Sequence, residues 1–343
     1  MTSTLAEACP SCANLVVAGD AFCETCGRAL GLVEDCAPVA PPVIRRIESF
    51  AGACSGCGAP LRRSGDGYCE MCGMREPDPR DHVEAACAGV AGVSDKGRRR
   101  RNQDAFALAS DAGGRIMAVV CDGVSASTRP EEAASAAAQA AVNALRAAAP
   151  GDDLHEVYLA ALQATAEVRW DPTHDHAGPP SCTLVAATAI DGRAQLLSVG
   201  DCRAFWLPDE GEPLTLTEDD SWAADQVAAG TMTPELAYAD RRSHVITRWL
   251  GMDADLTWEP RCVDFVAPGP GRLLLCSDGL WNYAPTAAEL GHAAGSGNLL
   301  SVCHRLVKFA IRGGGHDNVT VVVIDLPLGP AGSGHPAPKG LTA

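Results

Sequence analysis

The chain has 343 residues, 47% of them apolar and 20% charged, and its 43 acids against 27 bases give a net charge of -16. This is enough material for one large domain and a smaller appendage, and such acidity argues against nonspecific attraction to DNA or an anionic membrane. No run of about 18 uninterrupted apolar residues occurs, and the opening MTSTLAEACPSC has neither a basic leader nor an apolar signal core. The expectation is a cytoplasmic protein with no membrane partner.

Eight of the 16 cysteines fall in four Cys-x-x-Cys pairs near the start of the chain. In a reducing compartment such pairs mean metal or redox chemistry, and the βαβ context of a redox dithiol is missing. Residues 1–35 contain Cys9, Cys12, Cys23 and Cys26, and residues 54–79 contain Cys54, Cys57, Cys69 and Cys72, with a Pro-rich linker over 36–53. Each set supplies the four thiolates of a tetrahedral structural Zn²⁺, two from each tight turn. Gly27, Gly58 and Gly73 follow a second cysteine, where positive φ lets the backbone curl under the sulfurs. The pattern resembles a double zinc ribbon, a module that implies two Zn²⁺ ions and a regulatory or protein-interaction role. Nucleic acid is not an expected partner, because the bases nearby are few (Arg28, Arg62, Arg63) and no aromatic platform accompanies them.

From residue 80 to 327 the patterning is that of one larger domain. A strand is expected at 115–122, then an Ala-rich helix at 131–149 with two acids in its first turn and Pro130 before it, then an amphipathic helix at 153–170. Apolar strand-length runs follow at 181–190 and 194–207, a variable segment at 217–243, another run at 272–279, a helical stretch at 286–311 broken near Gly295 and Gly297, and a last strand at 318–326. Strands apolar on both faces fit a buried sheet covered by helices. The fold class expected is α+β, a central β-sandwich flanked by helices and preceded by two small zinc ribbons. The Gly/Pro/Ala-rich tail 328–343 is expected to be disordered.

Three of the apolar strands run into a carboxylate, at Asp122, Asp201 and Asp278; Asp317 starts a strand, and Asp104 follows a run of arginines. Any one of these alone is a commonplace turn residue. Five at one rim would repel unless cations neutralised them, and hard oxygen ligands with water completing the shell select Mg²⁺ or Mn²⁺. Paired metals of that kind polarise water and clamp a phosphoryl oxygen, the chemistry of phosphate-ester hydrolysis.

In order, GRRRRNQDAF, VVCDGVSAS, PSCTLVAA, SVGDCRAFWL, HVITRWLG, LLCSDGLW and GHDNVTVVV resemble the motifs of the PP2C or PPM family of metal-dependent Ser/Thr protein phosphatases, over residues 86 to 326. The resemblance implies a binuclear Mn²⁺ or Mg²⁺ centre at one edge of the sandwich. Asp122 would bridge the metals, with the Gly123 carbonyl on the second. Asp278 and Asp317 would complete the shell of the first metal, and Asp104 and Gln103 would act through metal-bound waters. Arg99, five residues before Asp104, would grip the substrate phosphate, although Arg98, Arg100 and Arg101 crowd that assignment. The implied reaction is in-line attack on phosphorus by a water bridging the two ions, with no covalent intermediate. The implied substrate is a phosphoprotein made by a Ser/Thr kinase.

Some positions depart from the family pattern. Val124 stands where eukaryotic members often place a leaving-group acid, and it can donate no proton. Asp201 belongs to a weak third metal site in the family, but Asn282 replaces that site's acid, so the third site is expected to be weak or absent. The alternative reading is a catalytically weak pseudophosphatase that binds phosphoproteins. Cys121, Cys202, Cys276 and Trp281 are expected to pack in the core, and His316 to lie at a loop surface.

Overall fold

The computed structural model describes residues 6–8, 15–17, 54, 57–60, 68–75 and 78–326. The first ribbon's Cys9, Cys12, Cys23 and Cys26, the linker and the tail lie outside the described residues. Near the start, strands β1 (Ala6–Ala8) and β2 (Leu15–Val17) pair antiparallel.

The larger domain begins with β3 (His82–Cys87), β4 (Val90–Asp95), β5 (Ala105–Ser110) and β6 (Ile116–Cys121), followed by helices α1 (Pro130–Ala147) and α2 (His155–Ala166). Next come β7 (Ser181–Cys182), β8 (Leu184–Ile190), β9 (Arg193–Val199), β10 (Arg203–Pro208) and β11 (Leu214–Thr215). Two short helices, α3 (Trp222–Ala228) and α4 (Pro234–Ala239), fill the variable segment. The chain closes with β12 (Leu250–Gly251), β13 (Arg261–Val266), β14 (Gly271–Cys276), α5 (Asp278–Trp281), α6 (Ala287–Ala294), α7 (Leu299–Gly313) and β15 (Val319–Leu326).

Two antiparallel sheets face each other, ordered β11-β10-β14-β15-β4-β3 and β13-β9-β8-β6-β5. Strand periodicity sorts the side chains into layers. On β6, Ala118 and Val120 point between the sheets with Trp206, Leu273 and Val322, whereas Met117, Val119 and Cys121 point outward onto α1 and α2. The six-stranded sheet turns Phe205, Leu274 and Val323 to Leu290 and Leu306 of α6 and α7. The order is therefore helices, sheet, sheet, helices, and the central strands are apolar on both faces because both faces are covered. Helix α1 presents Ala133, Ala134, Ala137, Ala138 and Ala141 to its sheet, so small side chains let its axis approach closely. The expected break in the last helical stretch is present: Gly295 and Gly297 have φ of 55° and 130°, and the Asn298 side chain caps α7 by accepting from the Ser301 amide at 2.8 Å.

The run 194–207 proves to be two strands in different sheets. The chain crosses between them at Gly200, whose φ of 90° brings the backbone so near Thr183 that a Cβ would lie 2.5 Å from its methyl carbon. Strands β3, β4, β5 and β13 carry weaker sequence signals. Edge strand β13, for example, alternates buried and exposed residues and so lacks a continuous apolar run. Among the described residues no helix is long and apolar enough to cross a membrane.

Candidate metal centres and active site

In the second ribbon the Gly58 amide donates to the Cys54 carbonyl at 2.9 Å and the Gly73 amide to the Cys69 carbonyl at 2.8 Å. Both glycines have φ of 70°, the curl expected of a Cys-x-x-Cys turn. The sulfurs of Cys54 and Cys72 are 3.6 Å apart and those of Cys57 and Cys69 3.9 Å. A Zn–S bond of about 2.3 Å requires tetrahedral S–S edges of about 3.8 Å, so the donor set fits zinc. Backbone amides of Cys72 and Met71 lower the Cys69 thiol to about 7, favouring the thiolate a metal needs. The ribbon is latched to the larger domain by Arg75, whose guanidinium donates twice to Asp81 at 2.6 and 2.8 Å.

The acids expected at one rim do meet there. Asp122 immediately follows β6, Asp201 lies in the crossing between sheets, Asp278 opens α5 after β14, and Asp317 precedes β15. Asp104 immediately precedes β5 and is 8% exposed. Backbone contacts tighter than any side chain would allow bring these segments together. A Cβ on Gly279 would lie 1.8 Å from the Asn318 carbonyl oxygen, and one on Gly97 would lie 2.3 Å from that of Asp317. Gly123 is equally enclosed, its absent Cβ 2.6 Å from the Pro130 carbonyl and 2.8 Å from that of Gln103.

The carboxyls disturb one another strongly. Burial pushes Asp104 up to about 7 against the pull of two hydroxyl donors, with repulsion from Asp278 and Asp317 adding to it. Burial, then Asp317, raises Asp278 to about 6. Asp122 and Asp201 lie well above the carboxylate range, through burial first and neighbouring acids second. Asp104 Oδ2 accepts from Ser277 and Thr320 hydroxyls, each at 2.7 Å, but its Oδ1 and the Oδ1 of Asp278 are buried with no partner. Bare buried carboxylate oxygens beside other carboxylates are costly unless a cation takes them, so these residues fit hard divalent metals. Among the described residues, three or more metal-binding side chains converge to within 4.8 Å only at the ribbon cysteines and at a cluster of His82, Glu84 and His304. The rim acids do not form such a closed set of three, but the Asp122 and Asp278 carboxyls are close enough to share a hydrogen bond, and a centre completed by water needs no tighter set.

The structure separates the four arginines. Arg99 donates from Nη2 to Asp317 at 2.6 Å and from Nε to the His316 carbonyl at 2.9 Å. Arg100 reaches the Tyr68 hydroxyl of the ribbon at 3.2 Å, Arg101 pairs with Glu131 at 2.9 Å, and Arg98 is exposed. Only Arg99 faces the acid rim through its side chain. Gln103 lies at the rim too, its carbonyl accepting from the Gly123 amide at 3.2 Å and its side chain from Ser125 at 2.8 Å. Asp201 gives its carbonyl to the Trp281 indole at 2.9 Å. Arg203 stacks 3.6 Å from the centre of that ring and forks onto Asp219. Trp281, Cys121, Cys202 and Cys276 are buried, and His316 is exposed, as the sequence led one to expect.

Residue-by-residue reading missed the polar scaffold behind the acids. Asn318, 2% exposed, accepts from the Gln103 amide and donates to the carbonyls of Lys96 and Arg101, all at 2.8 to 2.9 Å; it therefore holds both ends of the arginine loop. A buried chain of hydroxyls and amide runs from Asn102 through Ser94 and Thr320 to Asp104. The available signal was a threonine inside the apolar run NVTVVV, since a hydroxyl there must find a partner.

A family model described as Protein phosphatase 2C matches residues 91–294, more than half of the chain, and one described as Double zinc ribbon matches residues 9–73. The chain belongs to the protein phosphatase 2C family. Among its relatives is the serine/threonine protein phosphatase PstP of Mycobacterium tuberculosis, 35% identical over 242 residues that make up 69% of this chain and 44% of that protein. The chain thus spans less than half the length of that relative. The crystal structure of the same Mycobacterium tuberculosis phosphatase superposes with a TM-score of 0.56 at 32% identity, covering 69% of this chain and 98% of that one. The catalytic domain of PstP in complex with two manganese ions, also 32% identical, gives a TM-score of 0.53 over 69% of this chain and 97% of its own. These protein phosphatase 2C relatives share the two-sheet, helix-covered architecture described above.

Proposed function

We propose that this chain is a metal-dependent protein-serine/threonine phosphatase acting on phosphoproteins. The observation that carries the reading is the rim itself: buried acids with unpartnered oxygens on Asp104 and Asp278, beside the Arg99 guanidinium on Asp317. Asp122, the Gly123 carbonyl, Asp278 and Asp317 would hold two Mn²⁺ or Mg²⁺ ions, with Asp104 and Gln103 supporting them from behind. When bound, the two ions would acidify a water lying between them for in-line attack on phosphorus and would neutralise phosphoryl charge.

The protein's own groups supply the rest. Arg99 presents a planar fork matched to a phosphoryl group. Its present partner, Asp317, is the acid that metal binding would engage, and the guanidinium would then be free to turn to substrate. Asn318 and Gly97 keep the arginine loop against the rim, so Arg99 meets the phosphate already positioned. Val124 offers no proton, which leaves the leaving alkoxide to be protonated by water. Asn282 turns its amide N–H to Asp278 at 3.2 Å, a donor where the third site of the family would need an acceptor. Asp201 and Arg203 accordingly serve the packing around Trp281. The two ribbons, each on one structural Zn²⁺, form an interaction module over 1–79 that recruits a protein partner, ahead of a catalytic domain over 80–327.

The test is hydrolysis of p-nitrophenyl phosphate and a phosphothreonine peptide across a Mn²⁺ titration, with Asp278→Asn as control. Saturable turnover that the substitution abolishes is expected. Folded, metal-binding protein without turnover would instead make it a phosphoprotein-binding module.

A further inference from the structure

Away from the acid rim, edge strand β3 and helix α7 bring together two imidazoles and a carboxylate. His82 and Glu84 are two residues apart and so share one face of β3, and His304 reaches them from α7. The Nε2 atoms of His82 and His304 lie 2.8 and 2.7 Å from the same oxygen, Glu84 Oε1, and the three ligand atoms converge within 4.8 Å of one another. His82 is oriented from behind: its Nδ1 lies 2.7 Å from Asp95 Oδ2. A carboxylate on the far nitrogen of an imidazole is the arrangement that fixes the tautomer and aims a metal-binding nitrogen.

We propose that His82, Glu84 and His304 form a binding site for a borderline divalent transition metal, Zn²⁺ by preference, separate from the ribbons and the catalytic rim. Two imidazole nitrogens and one carboxylate oxygen suit Zn²⁺ far better than Mg²⁺ or Mn²⁺. The side chains are 28%, 15% and 34% exposed, so the fourth position of a tetrahedron opens to solvent and would carry water or a ligand from outside. Without a metal, His82 is an imidazolium that donates from Nδ1 to Asp95 and from Nε2 to Glu84, and a metal would take the place of the Nε2 proton. A metal requires only the neutral ring.

The site is coupled to the arginine loop. The other oxygen of Asp95, Oδ1, accepts from the Gly97 amide at 2.8 Å, and Gly97 begins the GRRRR run that holds Arg99. A metal here would tie β3, α7 and, through Asp95, the base of that loop into one unit.

The full chain, purified with zinc and dialysed against a weak chelator in Mg²⁺ buffer, is assayed for zinc by mass spectrometry beside His304→Ala and Glu84→Gln. Wild type is expected to retain one zinc equivalent more than either variant, with the ribbon thiols equally protected from alkylation in all three. Glu84→Gln keeps a hydrogen-bonding side chain in place while losing the charged ligand, so it decides the matter should His304→Ala fail to fold. Equal zinc content in wild type and folded Glu84→Gln overturns the proposal.

Discussion

Arg99 is chemically indistinguishable from its three neighbours in sequence; the family spacing before Asp104 points to it, and in the structure its contacts with Asp317 and the His316 carbonyl set it apart. A two-pronged grip on phosphate follows from the planar guanidinium, and Lys keeps the charge without the fork. Charge-assisted hydrogen bonds of this kind contribute about 1.5–3 kcal/mol. Arg99→Ala is therefore expected to lower kcat/KM for a phosphothreonine peptide by about 10- to 100-fold, with Arg99→Lys restoring only part, while Arg98→Ala changes little; steady-state kinetics check this. A second residue-scale effect concerns the ribbon latch. Burial works against ionised Asp81, but the Arg75 pair and the Asp78 amide outweigh it and hold its carboxyl below the ordinary 3.8. A lowered folded value means that the latch contributes stability above the unfolded carboxyl value and loses it as pH falls through the folded one. Wild type should therefore melt above Asp81→Asn at neutral pH, with the gap closing below about pH 4; a gap independent of pH would assign the difference to packing instead.

At the scale of elements, the active rim depends on how closely strand ends can approach. Helix α5 lies so near the start of β15 that only a glycine fits at 279. Gly279→Ala must push the Asp278 backbone away from Asp317 and Asn318, at a cost of about 1–3 kcal/mol or more. It is expected to lower the urea midpoint and to weaken Mn²⁺ binding together, as followed by fluorescence and calorimetry. Long apolar strands and the three longer helices α1, α2 and α7 were legible in the sequence because burial leaves continuous apolar runs in strands and helical periodicity of apolar residues. The edge strands were not, since β13 and β3 are half solvated and their patterns resemble those of turns. Nor was the split of 194–207 into β9 and β10, because a change of sheet at Gly200 alters partners without altering hydropathy.

For the whole molecule, the ribbon and the larger domain are held by different physics. No residue before Val83 contributes to the three apolar clusters of the described residues, whereas the second ribbon is organised around four sulfurs. A module of that size has too little apolar surface to fold without its metal. Chelation of zinc is expected to open residues 54–75 to protease while the domain from 82 to 326 still unfolds in a cooperative thermal transition of its own, lowered only by the lost latch, as read by limited proteolysis and circular dichroism. Loss of both together would mean that the Arg75–Asp81 and Arg100–Tyr68 contacts support the domain more than its own core does.

Local chemistry was enough to determine the Cys-x-x-Cys metal turns, the strand-end aspartates and the order of the motifs, because each depends on neighbours a few residues away. Asp104, Asp122, Asp278 and Asp317 stood out from the other acids through the motifs they sit in, whose order resembles that of the phosphatase family. The contacts that seat Arg99 on Asp317 were decided only in three dimensions, as were Asn318 pinning the loop, the buried hydroxyls behind Asp104 and the meeting of His82 and Glu84 with His304. Those relations join residues some 200 positions apart, and only the packing of two sheets and their covering helices brings such partners within hydrogen-bonding reach.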